Sequence, residues 1–518
     1  MAISLSGMTL HTDNDNEGGW SGTDGNDTYF KAVQGTNSQS WNVAKNGVET
    51  GVLTKAATMP TTRGVFTFWM ASDLSFYYTD IRLELESSTN NLKQFIVADS
   101  VDKAIGGDFV CTAVDYVNKG SATGTFNPAS LATTRIIVDN SSSGNIRAVI
   151  NNWIDAMYFG PGHTISGTTT GDKLFTEATA QDELTANRYG VLRNFNGIIF
   201  CQADLSLVGT ALVSDAEVLV FANAANGYDI YNLDITGTVT FINTSILTAG
   251  AKLFNFDSSN ATSFSMEGGA LEGCNTLDFG ATQAVKSVVI SNGVAVNIAN
   301  TPTNCTFVNN TAINLTGTLT NPNITAGTAS SAAIVTTDID KITGGSITRN
   351  GSGYGVELTA LADGTWNTDT TGYRTGTTGS PITPYYVGST ATGDEALFIN
   401  LSSGTINIAV SGVSPPSVAL PNGSTAVVNV TGFKPTLTLT GVIAGSDISI
   451  TLHGTTTEIV DDVISGTSYG YQYTYTASTY VDIRIIKAGY KVWTQYNYLL
   501  SSVDTPLPVS QVIDRAYG

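Results

Sequence analysis

The sequence predicts an all-β protein built as an N-terminal jelly-roll sandwich, a central right-handed parallel β-helix and a small C-terminal β-sandwich. Three observations carry that expectation. Charged residues make up only 13% of 518, about half the usual share, while 42% are hydrophobic and 53 are glycine. Apolar and polar residues alternate at period two, and no helical period is visible. Clusters of Asn, Asp, Gly and Ser, which tolerate tight turns, break the apolar runs at short intervals.

Residues 1–164 hold the longer strands. Ile81-Arg-Leu-Glu-Leu-Glu86 puts Ile81, Leu83 and Leu85 on one face and Arg82, Glu84 and Glu86 on the other, as an antiparallel strand with one wet face requires. Val65–Met70, Phe95–Val97, Phe109–Ala113, Arg135–Val138 and Ile146–Ile150 continue the series, which reads as a jelly roll. Residues 165–430 carry few charges, and their short apolar runs end in Asn or Gly. Phe241 leads to Asn243, Met266 to Gly268, Ile290 to Asn292 and Phe307 to Asn309, with weaker matches at Ile324 and Ile342. Those apolar positions lie 17 to 25 residues apart, the period of a β-helix rung with turns at residues that accept positive φ. Residues 431–502 return to longer alternating strands, including Ile448–Leu452, Tyr471–Tyr475, Val481–Ile485 and Val492–Tyr496, and read as an Ig-like sandwich. The tail, 503–518, is expected to form one short helix on a neighbouring subunit.

Composition excludes several classes of function. With 23 basic against 43 acidic residues the net charge is −20, so no nucleic-acid partner is expected. Cys111, Cys201, Cys274 and Cys305 are far apart, and His11, His163 and His453 are isolated, so neither a disulfide framework nor a zinc site is expected. The start, Met-Ala-Ile-Ser-Leu-Ser-Gly-Met, lacks the cationic and apolar regions of a signal peptide. No apolar run reaches the length of a membrane span, so no membrane insertion is expected.

The order of jelly roll, β-helix and small sandwich resembles the tail-fibre, tailspike and head-fibre proteins of tailed bacteriophages. Trp20-Ser-Gly, Phe30–Gly35 and Trp153–Gly160 look like the concanavalin-like jelly roll of phage virion proteins. Gly441–Ser446, Gly466–Tyr469 and Val481–Tyr490 look like the small C-terminal sandwich of phage appendages. The resemblance implies a virion structural protein, assembled in the host cytoplasm. It would be a homotrimer that touches other virion proteins at one end and host-surface glycan at the other. A tailspike depolymerase on the same scaffold and a bacterial surface adhesin are the competing functions.

Candidate site residues are few. Asp13, Asp15, Glu17 and Asp24 mimic the alternating oxygen ligands of a calcium loop, but Glu17 and Asp24 replace the expected residue types, so the loop is read as solvated and no metal or other cofactor is expected. Glycoside cleavage needs two carboxyl groups across the scissile bond. Asp257, Glu267 and Glu272 are the candidates if the protein cuts, although no pair is recognisable and binding without cutting is the expectation. Aromatic rings cover the C–H faces of sugars. Trp366, in a loop-like stretch, and Tyr471 and Tyr473, which share a strand face with Tyr469 and Tyr475, are the glycan-binding candidates.

Overall fold

The computed structural model describes the chain apart from residues 1–3, 16–18, 24, 28–31, 45, 74–77, 100–107, 142–148, 168–171, 174–191, 196–197, 210–211, 214–217, 223–227, 312, 328–330, 363, 368–384, 388–391, 412–416, 432–434, 474–478, 502–504 and 515–518. The described residues form strands and two short 3-10 turns, with no α-helix among them. No helix is long and apolar enough to cross a membrane. The chain divides into two compact units, Met1–Gly317 and Thr318–Gly518.

The first unit opens with a sandwich of two antiparallel sheets. One orders Val110–Asp115, Val65–Ser72, Val149–Gly160, Ser38–Ala44 and Gly25–Asp27, with Thr9–Thr12 also on Val149–Gly160. The other orders Ser121–Thr123, Asn91–Asp99, Asp80–Ser88, Thr133–Asp139, Val48–Leu53 and Trp20–Ser21. The alternation read in the sequence holds: Ile81, Leu83 and Leu85 are fully buried against Phe66, Phe68, Met70 and Ile154. On the opposite face Arg135 pairs with Glu84 and Glu86, and Arg82 with Asp80 and Asp139. His11 also belongs to this interior, edge-on to Phe66 and Phe159, and burial lowers its pKa to about 4.

From His163 the chain winds as a parallel β-helix with three faces. The first face stacks His163–Gly167, Leu205–Gly209, Ile230–Ile235, Leu253–Asp257, Cys274–Phe279, Ala295–Ile298 and Ile313–Leu315. The second stacks Leu212–Val213, Thr238–Ile242, Ser263–Glu267 and Ala284–Lys286. The third stacks Ile198–Cys201, Val218–Phe221, Ser245–Thr248, Ala270–Glu272, Val289–Ser291 and Thr306–Val308. The rungs shorten along the chain. First-face partners run Leu205, Leu233, Phe256, Leu277, Val296 and Ile313, advancing by 28, 23, 21, 19 and 17 residues. This drift explains why the repeat looked degenerate. Phe241 and Met266 are partners on the second face and Ile290 and Phe307 on the third, so the spacing between Met266 and Ile290 is a change of face, not a rung.

The corners follow the Asn and Gly signals. Asn243, Gly268, Asn292 and Asn309 have φ of 50°, 72°, 55° and 53°, the left-handed region in which Gly is free and Asn is tolerated. One such residue redirects the chain between faces. At the second-to-third corner Gly269 sits so close to the rung before it that an added Cβ would lie 2.1 Å from the Thr244 carbonyl oxygen. Inside the coil Phe256 meets Phe264 and Phe279 at ring distances of 5.4 and 5.6 Å, joining successive rungs.

The first rung is covered by the chain itself. Ser4–Ser6 runs antiparallel to His163–Gly167 on the first face, and Leu192–Phe195 runs antiparallel to Ile198–Cys201 on the third. Each blunts a row of backbone groups that would otherwise invite another strand.

The second unit carries further parallel stacks. Ala332–Thr336, Tyr354–Leu358, Leu397–Ile399 and Val418–Ala419 form one, and Gly364–Asn367, Thr405–Ser411 and Val427–Thr431 another. It ends in a sandwich around Leu437, Leu439, Ile448, Ile450, Val481, Ile483 and Ile485. One sheet orders Glu458–Val463, Asp447–Leu452, Tyr480–Ile486 and Trp493–Leu499; the other places Thr436–Thr440 between Ser468–Gln472 and Thr505–Pro508. The helix expected in the tail is therefore corrected to a strand. Pro506 and Pro508 break a helix but suit an edge strand, where alternate N–H groups have no partner to serve.

Two substitutions test this account. Phe256→Ala should cost about 3–5 kcal/mol in urea denaturation, as expected when a fully buried ring leaves a cavity. Asn309→Gly should change stability by no more than about 0.5 kcal/mol, whereas Asn309→Val should cost about 1–2 kcal/mol because a β-branched residue resists positive φ. Equal effects at Asn309 would refute the corner assignment.

Candidate functional site

Parallel pairing in register repeats each outward position from rung to rung, so the outer surface of the first face is a set of columns. One column runs Ser206, Asp234, Asp257, Asp278, Asn297 and Asn314. Beside it Asp204, Asn232 and Asn255 are linked by side-chain hydrogen bonds: Asn232 Nδ2 donates to Asp204 Oδ2 at 2.8 Å, and Asn255 Nδ2 donates to Asn232 Oδ1 at 2.9 Å. Asn275 and Thr276 then donate to Asn255 Oδ1 at 2.8 and 2.9 Å. Spacing along a strand and between strands puts neighbouring columns about 7 Å apart and neighbouring rungs about 4.8 Å apart, the scale of a sugar ring.

Loops of the jelly roll stand over these columns and make a cleft within the first unit. Its two lobes, about 350 and 480 Å³, meet at Arg63. The first is lined by Ser206, Val208, Asp234, Asp257 and Asn260, the second by Asp115, Lys119, Asp229, Ile230 and Asn232. Arg63 holds φ at 51°, an uncommon conformation for a residue with a side chain, and its guanidinium pairs with Asp234. Such local strain persists where surrounding structure over-determines it and often marks functional sites. Lys119 and Lys252 both pair with Asp229, Lys252 at 3.1 Å. Asp257 Oδ1 accepts from the Ser259 N–H at 2.9 Å and from its hydroxyl at 2.7 Å. The lining thus offers carboxylates, amides and cations beside the apolar Val208 and Ile230, which are 41% and 37% exposed.

Asp204 lies under this floor, only 5% exposed. The strand leaving Gly162, whose φ is 123°, crosses it so closely that a Cβ on Gly162 would be 2.8 Å from the Asp204 Cβ. Burial pushes the Asp204 carboxyl up to about 7, against the opposing pull of the Asn232 hydrogen bonds. Asp155, in the jelly roll, is likewise raised to about 7 by burial, although the Gln34, Val33 and Ala156 N–H groups donate to it. Burial, with Asp257 nearby, also raises Asp278.

The three candidate acids fall on three different faces. Asp257 is on the first and lines the cleft. Glu267 is on the second, paired with Lys286 at 3.0 Å, and Glu272 on the third, accepting from Asn292 Nδ2 at 3.3 Å. Tyr473 is buried, with its hydroxyl donating to the Ser501 carbonyl at 2.7 Å, and Tyr471 stacks on it at 5.5 Å. Trp366 lies on the strand Gly364–Asn367, and its side chain is outside the described residues. In the calcium-like loop Asp15 Oδ1 accepts from the Thr36 and Asn37 N–H groups, both at 2.6 Å, and Asp13 Oδ1 accepts from the Asp15 N–H. Glu17 and Asp24 lie outside the described residues. Among the described residues no three His, Cys, Asp or Glu side chains are grouped to hold a metal ion. Arg63, Asp115 and Lys119 were not singled out in the sequence. Nothing local marks them, because they reach the β-helix only through the packing of the jelly-roll loops.

No protein-family profile and no curated protein matches the chain. Among solved structures, the catalytic domain of a GH87 α-1,3-glucanase variant in complex with nigerose is similar over 83% of this chain and 88% of its own, at 11% identity and a TM-score of 0.26. The catalytic unit of a thermostable GH87 α-1,3-glucanase from Streptomyces thermodiastaticus is similar over 84% and 97%, at 8% identity and a TM-score of 0.19. A family 11 carbohydrate-binding module from Clostridium thermocellum, in complex with a β-1,3-1,4-mixed-linked tetrasaccharide, covers 30% of this chain and 95% of its own, at 12% identity and a TM-score of 0.22.

The two raised aspartates fix a pH dependence. Between about pH 4 and pH 7 the unfolded chain has released protons that folded Asp155 and Asp204 still hold, so stability falls as pH rises through that window. Asp204→Asn should make the fall in melting temperature between pH 5 and pH 7 shallower, leaving the part due to Asp155. A slope identical to the parent's would show that Asp204 ionises normally.

Proposed function

We propose that the protein is a glycan-contacting structural protein of a phage virion, a fibre-like or spike-like appendage that works as a homotrimer, and that its cleft binds a neutral saccharide without cleaving it. The observation that carries the binding reading is the cleft itself. It presents hydrogen-bond donors and acceptors in columns spaced like successive sugar hydroxyls, beside two exposed aliphatic side chains, and a strained arginine is aimed into it. The net charge of −20 and the carboxylates of the lining favour a neutral glycan over an acidic one.

Hydrolysis calls for one carboxyl held protonated and facing the glycosidic oxygen. Asp204 is held near neutrality but sealed beneath the floor, while Asp229 and Asp234 are paired with cations and Asp257 is capped by Ser259. The virion reading draws its support from the order of the three β modules along the chain. The trimer reading draws support from apolar residues on the outer side of the second and third faces, where Ile242 and Val289 are 52% and 39% exposed. Three chains side by side would bury them, and weak glycan contacts would add through avidity.

Calorimetric titration with neutral oligosaccharides tests the cleft: Arg63→Ala and Asp257→Ala should each weaken binding roughly tenfold, a loss on the scale of a charged hydrogen bond. Undiminished affinity in both, or release of new reducing ends by the parent protein, would overturn the reading. Light scattering should give a particle of three 54.2 kDa chains, and a single-chain mass would remove the trimer. Labelled antibody against the chain should decorate purified virions.

A further inference from the structure

We propose that the outer face of the C-terminal sandwich, centred on Asp482, is a second binding site for a neutral pyranose. It uses no residue of the cleft.

The starting point is a fault in strand pairing. Tyr480–Ile486 and Trp493–Leu499 run antiparallel, with Val481 opposite Tyr498 and Ile483 opposite Gln495. Two residues, Tyr496 and Asn497, therefore oppose the single residue Asp482. Such a bulge re-aims a side chain. Asn497 takes φ of 55°, and its N–H donates to Asp482 Oδ1 at 2.7 Å. The same oxygen lies 2.8 Å from His453 Nδ1. These contacts, the Asn497 N–H first, hold the Asp482 carboxyl below the usual carboxylate range. Asp482 is thus a fixed acceptor, and with a proton on Nδ1 the imidazole turns Nε2 away from it as a further polar point.

Alternation along the strand places the rest. Val481, Ile483 and Ile485 are buried in the core, so Tyr480, Asp482 and Arg484 share the opposite face. Tyr480 is 38% exposed and Tyr496, thrown out by the bulge, is 65% exposed. Two tyrosines, an arginine and a carboxylate–imidazole pair surround one point of the surface. Tyrosine rings cover the apolar C–H face of a pyranose while hydroxyls bond at its rim. Asp482 and Arg484 supply acceptor and donors of fixed position. A central carboxylate on a chain of net charge −20 disfavours acidic sugars. The contrast with Tyr471 and Tyr473 is direct. Those rings stack on each other and belong to the core, whereas Tyr480 and Tyr496 face outward.

The test is a glycan array of neutral and acidic saccharides, probed with the full chain and with Tyr496→Ala, Tyr480→Ala and Arg63→Ala. Tyr496 is exposed, so its variant should melt like the parent. The expected result is retention of neutral saccharides by the parent and roughly fivefold weaker binding in each tyrosine variant, the scale of one lost ring contact. This loss should persist when Arg63 is already replaced, which separates the site from the cleft. The proposal is overturned if no neutral saccharide binds, or if both tyrosine variants bind like the parent. It is also overturned if Tyr496→Ala lowers the particle mass in light scattering while glycan binding is unchanged, since the patch would then join copies of the chain.

Discussion

Register is the constraint from which the rest of the β-helix follows. A strand in a parallel stack is reached only by going once round the coil, so each backbone hydrogen bond fixes which residue sits above which. Phe256 lies over Leu233 because Asn255 lies over Asn232, and one pairing therefore sets both the core and the outer columns. The cleft inherits its order from this. Asp234, Asp257 and Asp278 stand in line because inward Leu233, Phe256 and Leu277 do. A rung that slipped by one residue would turn its polar column into the core.

Much of this was legible in the sequence, and the reason is local chemistry. The alternation at Ile81–Glu86 and the Asn and Gly ends of the apolar runs each report a demand made on one or two residues, a face to bury or a positive φ to hold. Those signals survive without knowledge of partners. The rung length did not read cleanly, because each circuit is about two to five residues shorter than the one before and the eye joins positions on different faces, as with Met266 and Ile290. The tail was misread because apolar Val509 and Val512 drew attention from the two prolines that forbid a helix.

The sites were less legible than the fold. Asp257 could be picked as an acid beside a strand, but not as the neighbour of Arg63, which is 194 positions away and arrives on a loop of another module. The tyrosines show the same difficulty at shorter range. Tyr471 and Tyr473 stand on a clean alternating strand, and alternation says only that they share a face, not which face is wet. Tyr496 owes its exposure to a one-residue excess opposite Asp482, which depends on where the neighbouring strand begins. Both cases place function where tertiary packing or a pairing fault intervenes, and pattern reading is weakest there.

The strand Ser4–Ser6 has a consequence for how the chain is made. Its partner, His163–Gly167, lies about 160 residues further on. At translation rates of about 5–20 residues per second, the early strand leaves the ribosome roughly 8–30 s before its place exists. The intervening jelly roll must collapse first, and in doing so it shortens the effective loop that the pairing has to close. The parallel rungs can then be laid down in the order in which they are synthesised. The N-terminal strand thus works as a latch, set late on an edge that the growing coil leaves open behind it.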